Sequence, residues 1–102
     1  MVHKVKFKQW NCILEFGQYK ENDRIAISLV EEETGEDVAT VTINLDKVSL
    51  SDNEVIIKDY SENEGVYEAL VKAEIISRAK RYIHSGFISA PVCDLLITVP
   101  KI

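Results

Sequence analysis

Residues 54–73 read EVIIKDYSENEGVYEALVKA, and the rest of the chain is organised on either side of them. Val55, Ile56 and Ile57 are consecutive β-branched residues, the pattern of a strand covered on both faces. Asp59, Ser61 and Asn63 then supply turn and cap chemistry. Ser61 with Glu64 three positions on matches a capping box, in which the hydroxyl accepts the Glu64 N–H and the carboxylate reaches back. Glu62, Glu64 and Glu68 suit the positive end of a helix dipole. Val66, Leu70 and Ala73, with Ala69 beside them, form one apolar stripe at helical spacing. Glu68 and Lys72 are placed to pair on the wet face. Gly65 falls inside the first turn, where glycine costs up to roughly 1 kcal/mol against alanine; a close packing contact or a backbone distortion would account for it. The pattern predicts one main helix over residues 62–76, with continuation through Arg81 as the alternative. Asp59, Ser61 and Asn63 also fall on the first, third and fifth positions of an EF-hand loop. The glycine comes one residue late, however, and Leu70 stands where the bidentate Glu belongs, so the reading is a capped turn without metal.

The chain before this stretch reads as paired strands. Val5 and Phe7 alternate with Lys4, Lys6 and Lys8, and Cys12, Leu14 and Phe16 continue the alternation. A two-residue loop at Trp10-Asn11 would pair Val5 with Phe16, Phe7 with Leu14 and Lys6 with Glu15, leaving the apolar set on one face. Residues 24–45 give the clearest element. Ile25, Ile27 and Leu29 alternate with Ala26, Ser28 and Val30, and Val41 and Ile43 with Thr40 and Thr42. A three-residue loop Glu33-Thr34-Gly35, with Gly35 left-handed, pairs Ile25 with Ile43, Ile27 with Val41 and Leu29 with Ala39. After the helix, residues 82–87 read as a strand broken by Gly86. Pro91 marks a boundary or an edge, and residues 92–99 read as the last strand.

The length, 102 residues, and the 46 % apolar content suit a single domain over residues 1–102, able to bury somewhat over ~60 % of its unfolded surface without staples. No apolar run reaches the ~20 residues of a membrane span. Lys4, Lys6 and Lys8 interrupt the N-terminus, so no signal peptide is expected and the cytoplasm is the default compartment. Cys12 and Cys93 lack C-x-x-C spacing and read as reduced core residues. The net charge of −5 conceals a pattern: residues 1–30 sum to +2, residues 31–68 to −10 and residues 69–102 to +3. Nucleic-acid binding by the chain as a whole is therefore disfavoured, and a basic protein partner, or a groove that normally holds nucleic acid, is favoured. Glu31, Glu32, Glu33, Glu36 and Asp37 crowd the predicted hairpin tip, where they repel one another unless solvated or met by a basic partner. They are the candidate partner-binding residues; a plain solvated rim is the competing explanation. The candidate nucleic-acid patch of the alternative reading is Lys4, Lys6, Lys8, Arg78, Lys80 and Arg81.

Signatures of catalysis are missing from the sequence. It contains no P-loop, dinucleotide fingerprint or H-E-x-x-H. His84, Ser85 and Asp94 hold the letters of a triad, but adjacent Ser and His do not readily face each other, and no G-x-S-x-G elbow supports them. His3, His84 and the two cysteines match no zinc module. Tyr60, Tyr67, Tyr82 and Phe87 form no RNA-reading signature. The expectation is a non-enzymatic protein with no cofactor and no metal.

GQY-x4-RIAISLVE from Gly17, ATVTINL from Ala39, NEVIIKDYSENEG from Asn53, YEALVKAEII from Tyr67 and SGFISAPVCDLL from Ser85 resemble a small bacterial domain family of unknown function. That family is found largely on conjugative elements, plasmids and phages of gut bacteria. The resemblance covers nearly the whole chain; KDYSENEG and SGF-x3-PVC are its most specific parts. Residues 74–80 depart from it, being more charged and helix-like than the glycine-containing form of the family. It implies no catalytic or binding residues. It implies context only: an accessory protein of a mobile element, for which inhibition of host defence is one role. The expected fold is α+β, a mostly antiparallel sheet of about five to seven strands with N-terminal hairpins and the helix packed across it.

Overall fold

The computed structural model describes residues 3–100. Strands β1 (Lys4–Phe7), β2 (Trp10–Gln18), β3 (Ile25–Glu31) and β4 (Asp37–Thr40) form one antiparallel sheet in chain order. Strand β5 (Glu54–Ile56), helix α1 (Val66–Lys72), and strands β6 (Arg81–Ser85) and β7 (Ile88–Asp94) follow. The last three strands make a second antiparallel sheet in the order β5-β7-β6. The fold is thus α+β, with one main helix and seven antiparallel strands. The seven strands divide into two sheets stitched by an isolated bridge between Thr42 and Ile57. Helix α1 lies across β1 and closes the main core, where Val66 and Leu70 meet Phe7, Leu29, Ile57 and Cys93.

The apolar run in β5 behaves as its composition requires. Val55 and Ile57 enter the main core, whereas Ile56 joins Ala90 and Val92 in a second core on the opposite face of the sheet. Leu45, Val48, Leu50 and Ile83 cover that second core. A strand with both faces buried has no use for polar alternation.

The first hairpin turns earlier than the sequence suggests. The loop is Lys8–Gln9, with Lys8 left-handed at φ 54°, and Val5 pairs with Cys12, Lys6 with Asn11 and Phe7 with Trp10. Each β1 residue is displaced by four positions from the Trp10-Asn11 register. An even displacement leaves every side chain on its original face, so the apolar pattern alone could not separate the two registers. Trp10 is drawn into the strand, where its ring packs on the main core. Glu15 therefore faces Ser28 rather than Lys6.

In the β3–β4 hairpin, Gly35 is left-handed at φ 74°. Leu29 pairs with Ala39, and the Val41 N–H donates to the Ile27 carbonyl at 2.9 Å. The expected Ile25–Ile43 pair does not form. The Ile43 N–H donates instead to Ile56, 3.1 Å away in the second sheet.

Helix α1 is shorter than residues 62–76, and it does not run on to Arg81. Ser61–Asn63 form a separate 3-10 turn. Gly65 precedes the helix at φ 98°, and a Cβ there would meet Phe7 no closer than 3.9 Å. Backbone conformation, not crowding, therefore calls for glycine. The Ser61 side chain does not cap the helix. Asp59 does: its Oδ1 accepts the N–H groups of Gly65 and Tyr67, each at 3.0 Å. At the other end Glu74 is left-handed at φ 62°. Its N–H donates to Val71 and that of Ile75 to Leu70, both at 3.0 Å. This is a Schellman stop with Ile75 buried beside Leu70. With Glu where glycine is usual, the stop left no mark in the sequence.

The third hairpin also differs from its reading. Gly86 and Phe87 form a two-residue turn between paired Ser85 and Ile88, and the last strand spans Ile88–Asp94 rather than 92–99. Pro91 sits inside β7, the central strand of its sheet. It fits because the donor it lacks would face Ile57, just past the end of β5. The Ile57 N–H still reaches the Pro91 carbonyl at 3.0 Å, and the Ile57 carbonyl takes the Asp59 N–H at 3.1 Å. No helix among the described residues is long and apolar enough to cross a membrane.

Asp59→Ala is expected to cost about 1 kcal/mol, as for loss of a helix cap, while Ser61→Ala should stay within ~0.5 kcal/mol of the parent. Glu74→Gly should stabilise by up to ~1 kcal/mol by relieving the left-handed backbone. Urea unfolding of the three variants checks the order.

Candidate protein-binding surface

The acidic tip is built by the β3–β4 turn. The Gly35 N–H donates to Glu31 O, and the Glu31 N–H to Glu36 O, both at 2.8 Å, which folds residues 31–36 into a tight end. The five candidate acids are not equivalent there. Glu31 is half-buried, and its carboxylate accepts the Thr34 hydroxyl at 3.0 Å. Glu32 pairs with Lys4 at 2.7 Å and is tied to β2 through Asn11 O. Glu33, Glu36 and Asp37 are exposed and make no ion pair among the described residues. They are the outward-facing part of the candidate surface.

Of the other acids of the middle third, four are engaged, while Asp46, Asp52 and Glu64 are exposed and make no ion pair among the described residues. Asp59 caps the helix, Glu62 pairs with Lys58 at 2.9 Å and Glu68 with Arg78 at 2.6 Å. The expected Glu68–Lys72 pair is replaced by that contact with Arg78. Glu54, 8 % exposed, is the most committed. Its carboxylate accepts Arg81 Nη1 at 2.9 Å, Lys80 Nζ at 2.8 Å and the Ser51 N–H at 2.9 Å. The hydrogen bonds from Arg81 and Lys80 hold its pKa well below the usual carboxylate range.

The same pairs engage three cations of the alternative basic patch, which stay exposed. Arg78, Lys80 and Arg81 are each bound to a carboxylate. Lys80 also reaches Asp94 at 3.2 Å, and Arg81 the Ser49 carbonyl at 3.0 Å. Lys4 is held by Glu32, and Lys8 donates to the Glu62 carbonyl at 2.8 Å. The structure brings Lys6 and Lys8 together with Lys72 along a groove between β1 and α1. Lys72 was not a sequence candidate, because only the packing of the helix across β1 carries it there.

The letters of a triad are not assembled. His84 and Ser85 are consecutive on a strand and point to opposite faces, and Asp94 lies at the far end of β7 beside Lys80. Among the described residues no group of three or more His, Cys, Asp or Glu is arranged to hold a metal ion. Asn63, one of the EF-hand letters, is buried and donates to the Thr40 carbonyl at 2.6 Å. Cys12 and Cys93 are free buried thiols of the main core. Burial pushes Cys93 up to about 12, so its thiol stays protonated and unreactive near neutrality.

No family model matches the chain, and comparison with curated proteins and with solved structures finds no significant match.

Because the folded-state pKa of Glu54 is lowered, its contribution to stability is complete above its unfolded value of about 4.3 and is lost as pH falls through the folded value. Glu54→Gln should therefore be less stable than the parent at pH 7, and the difference should shrink steadily below about pH 4. Urea unfolding of both proteins across the acid range measures this.

Proposed function

We propose that this protein is a non-enzymatic accessory protein of a mobile genetic element that works in the cytoplasm by binding another protein through its acidic β3–β4 tip. The partner would be a basic groove in a host-defence nuclease or restriction complex, which the tip would occupy in place of nucleic acid. The observation that carries this reading is an asymmetry of charge. Glu33, Glu36 and Asp37 remain exposed and unpaired among the described residues, whereas Arg78, Lys80 and Arg81 are bound to carboxylates. Free acids at the end of a hairpin offer a steering field to a basic surface. Paired cations offer much less to phosphates. The resemblance to a mobile-element family supplies the context. The competing use of Lys6, Lys8 and Lys72 as a nucleic-acid groove has the weaker support, since counterion release grows with the number of phosphates neutralised.

Replacing Glu31, Glu32, Glu33, Glu36 and Asp37 with Gln or Asn should leave a folded protein that no longer retains its partner. The check is a tagged pull-down from host lysate, treated with nuclease and read by mass spectrometry, with parent and variant in parallel. A stoichiometric protein kept by the parent and lost by the variant is the expected result. Equal retention by both would remove the acidic tip from the interface. Partners that disappear with nuclease, together with DNA or RNA retardation at low salt, would transfer the function to the lysine groove.

A further inference from the structure

The free edges of the two sheets are guarded unequally. Strand β1 carries the exposed Lys4 and Lys6, followed by Lys8 at the turn. Strand β4 has four residues, opens on Asp37 and is interrupted by a bulge opposite Leu29 and Val30. The outer side of β5 is covered by residues 41–43, through the Thr42–Ile57 bridge and the Ile43 N–H to Ile56. Strand β6 carries only one exposed charge, Arg81 at its start, and that is paired with Glu54. Its five residues pair with β7 without a bulge, and no lysine or proline lies among them. Lysine, proline, bulges and cover are the usual means of keeping an edge from pairing with another chain.

The polarity of the β6 edge follows from its turn. Ser85 and Ile88 flank a two-residue loop and so exchange both backbone hydrogen bonds. By alternation, so do Ile83 and Ala90; at the start of the strand the Val92 carbonyl accepts the Lys80 N–H at 2.8 Å. The N–H and C=O groups of Tyr82 and His84 therefore point away from the sheet. Pro91, opposite Tyr82, agrees with this, since it needs no donor on that side.

We infer that β6 is a self-pairing edge, through which two copies of the chain join antiparallel about a two-fold axis at Ile83. In that register Tyr82 of each copy exchanges N–H···O=C bonds with His84 of the other. Arg81 faces Ser85, so no like charges meet. Ile83 meets its own counterpart beside an open notch whose lining is part apolar (Leu45, Val48, Ile83) and part polar (Asp46, Lys47, Ser85), and each copy covers the notch of the other. The Tyr82 ring, 53 % exposed in the single chain, packs against the imidazole of His84. The same operation on β1 would bring lysine rows together, which is why β6 rather than β1 is the self-complementary edge. The contact is isologous and closes at two copies. It does not involve the acidic tip, so it stands or falls independently of that surface.

Sedimentation equilibrium across a concentration series, with amide hydrogen exchange at Tyr82 and His84, tests it. The expected result is an apparent mass that doubles with concentration while both amides gain protection. His84→Pro removes an outward donor at a position where an edge tolerates proline and should abolish the doubling. The exposed double variant Tyr82→Lys, His84→Lys sets lysine against lysine across the axis, and it should do the same even where the proline variant does not fold. A parent that stays monomeric at about 1 mM, where an association worth only ~4 kcal/mol would show, overturns the inference. A dimer that survives the double lysine change, or one whose Tyr82 and His84 amides stay unprotected, overturns it equally.

Discussion

The structure depends on residues 41–43, where a single extended path belongs to both sheets. The Val41 N–H still bonds to β3, at Ile27 O, while its carbonyl already accepts the Lys58 N–H at 2.7 Å. One residue on, Thr42 bridges to Ile57, and the Ile43 N–H bonds to Ile56. Leaving β3 would orphan the Ile27 N–H in the core, which is costly for a buried donor. The Thr42 hydroxyl accepts it at 3.1 Å and meets the Tyr19 hydroxyl at 3.0 Å. A buried threonine thus lets the strand change sheets with its backbone groups satisfied.

This crossing explains why the fold needs two cores. Once β5 pairs with β7 and lies against the 41–43 path, its two faces look in opposite directions. One faces the helix and the first sheet; the other must be covered by residues 43–50 and Ile83. Arg24 helps to hold that covering segment, donating to the carbonyls of Leu45 and Val48. The Glu54, Arg81 and Lys80 cluster ties the start of β5 to the start of β6. Pairs with one buried partner are weak sources of net stability but costly to break on the buried side, so they fix the arrangement more than they drive it. The same cluster pairs Lys80 and Arg81, both still exposed, with one buried carboxylate, which is how a structural requirement shapes what the outside of the molecule can bind.

Much of the architecture was legible because it rests on local rules. The fold agrees with the strand alternation in residues 25–40, the left-handed Gly35 and the β-branched run at 55–57, although the connection is residues 32–36 rather than Glu33-Thr34-Gly35 and Ile43 leaves for the second sheet. The misreadings share a cause as well. The β1–β2 register, the helix end at Glu74 and the placement of Pro91 each had two solutions of nearly equal local merit. An even register displacement conserves the apolar face, a Schellman stop works with a left-handed Glu, and a proline is tolerated wherever its missing donor has no partner. Tertiary context selected among them. The candidate acids were legible as a cluster, but their division into paired and free groups was not, since Lys4 meets Glu32 only across the β1–β2–β3 ladder.

By itself, the sequence determined the fold class, the β3–β4 hairpin and its acidic tip, and a strand buried on both faces. Periodicity, turn chemistry and β-branching are properties of neighbours along the chain. Only the tertiary structure decided which charges remain available, that Asp59 rather than Ser61 caps the helix, that Lys72 joins Lys6 and Lys8, and that β6 is left as an unguarded edge. Those outcomes depend on which distant segments meet, and a long-range ion pair or a strand edge has no signature until the chain has closed on itself.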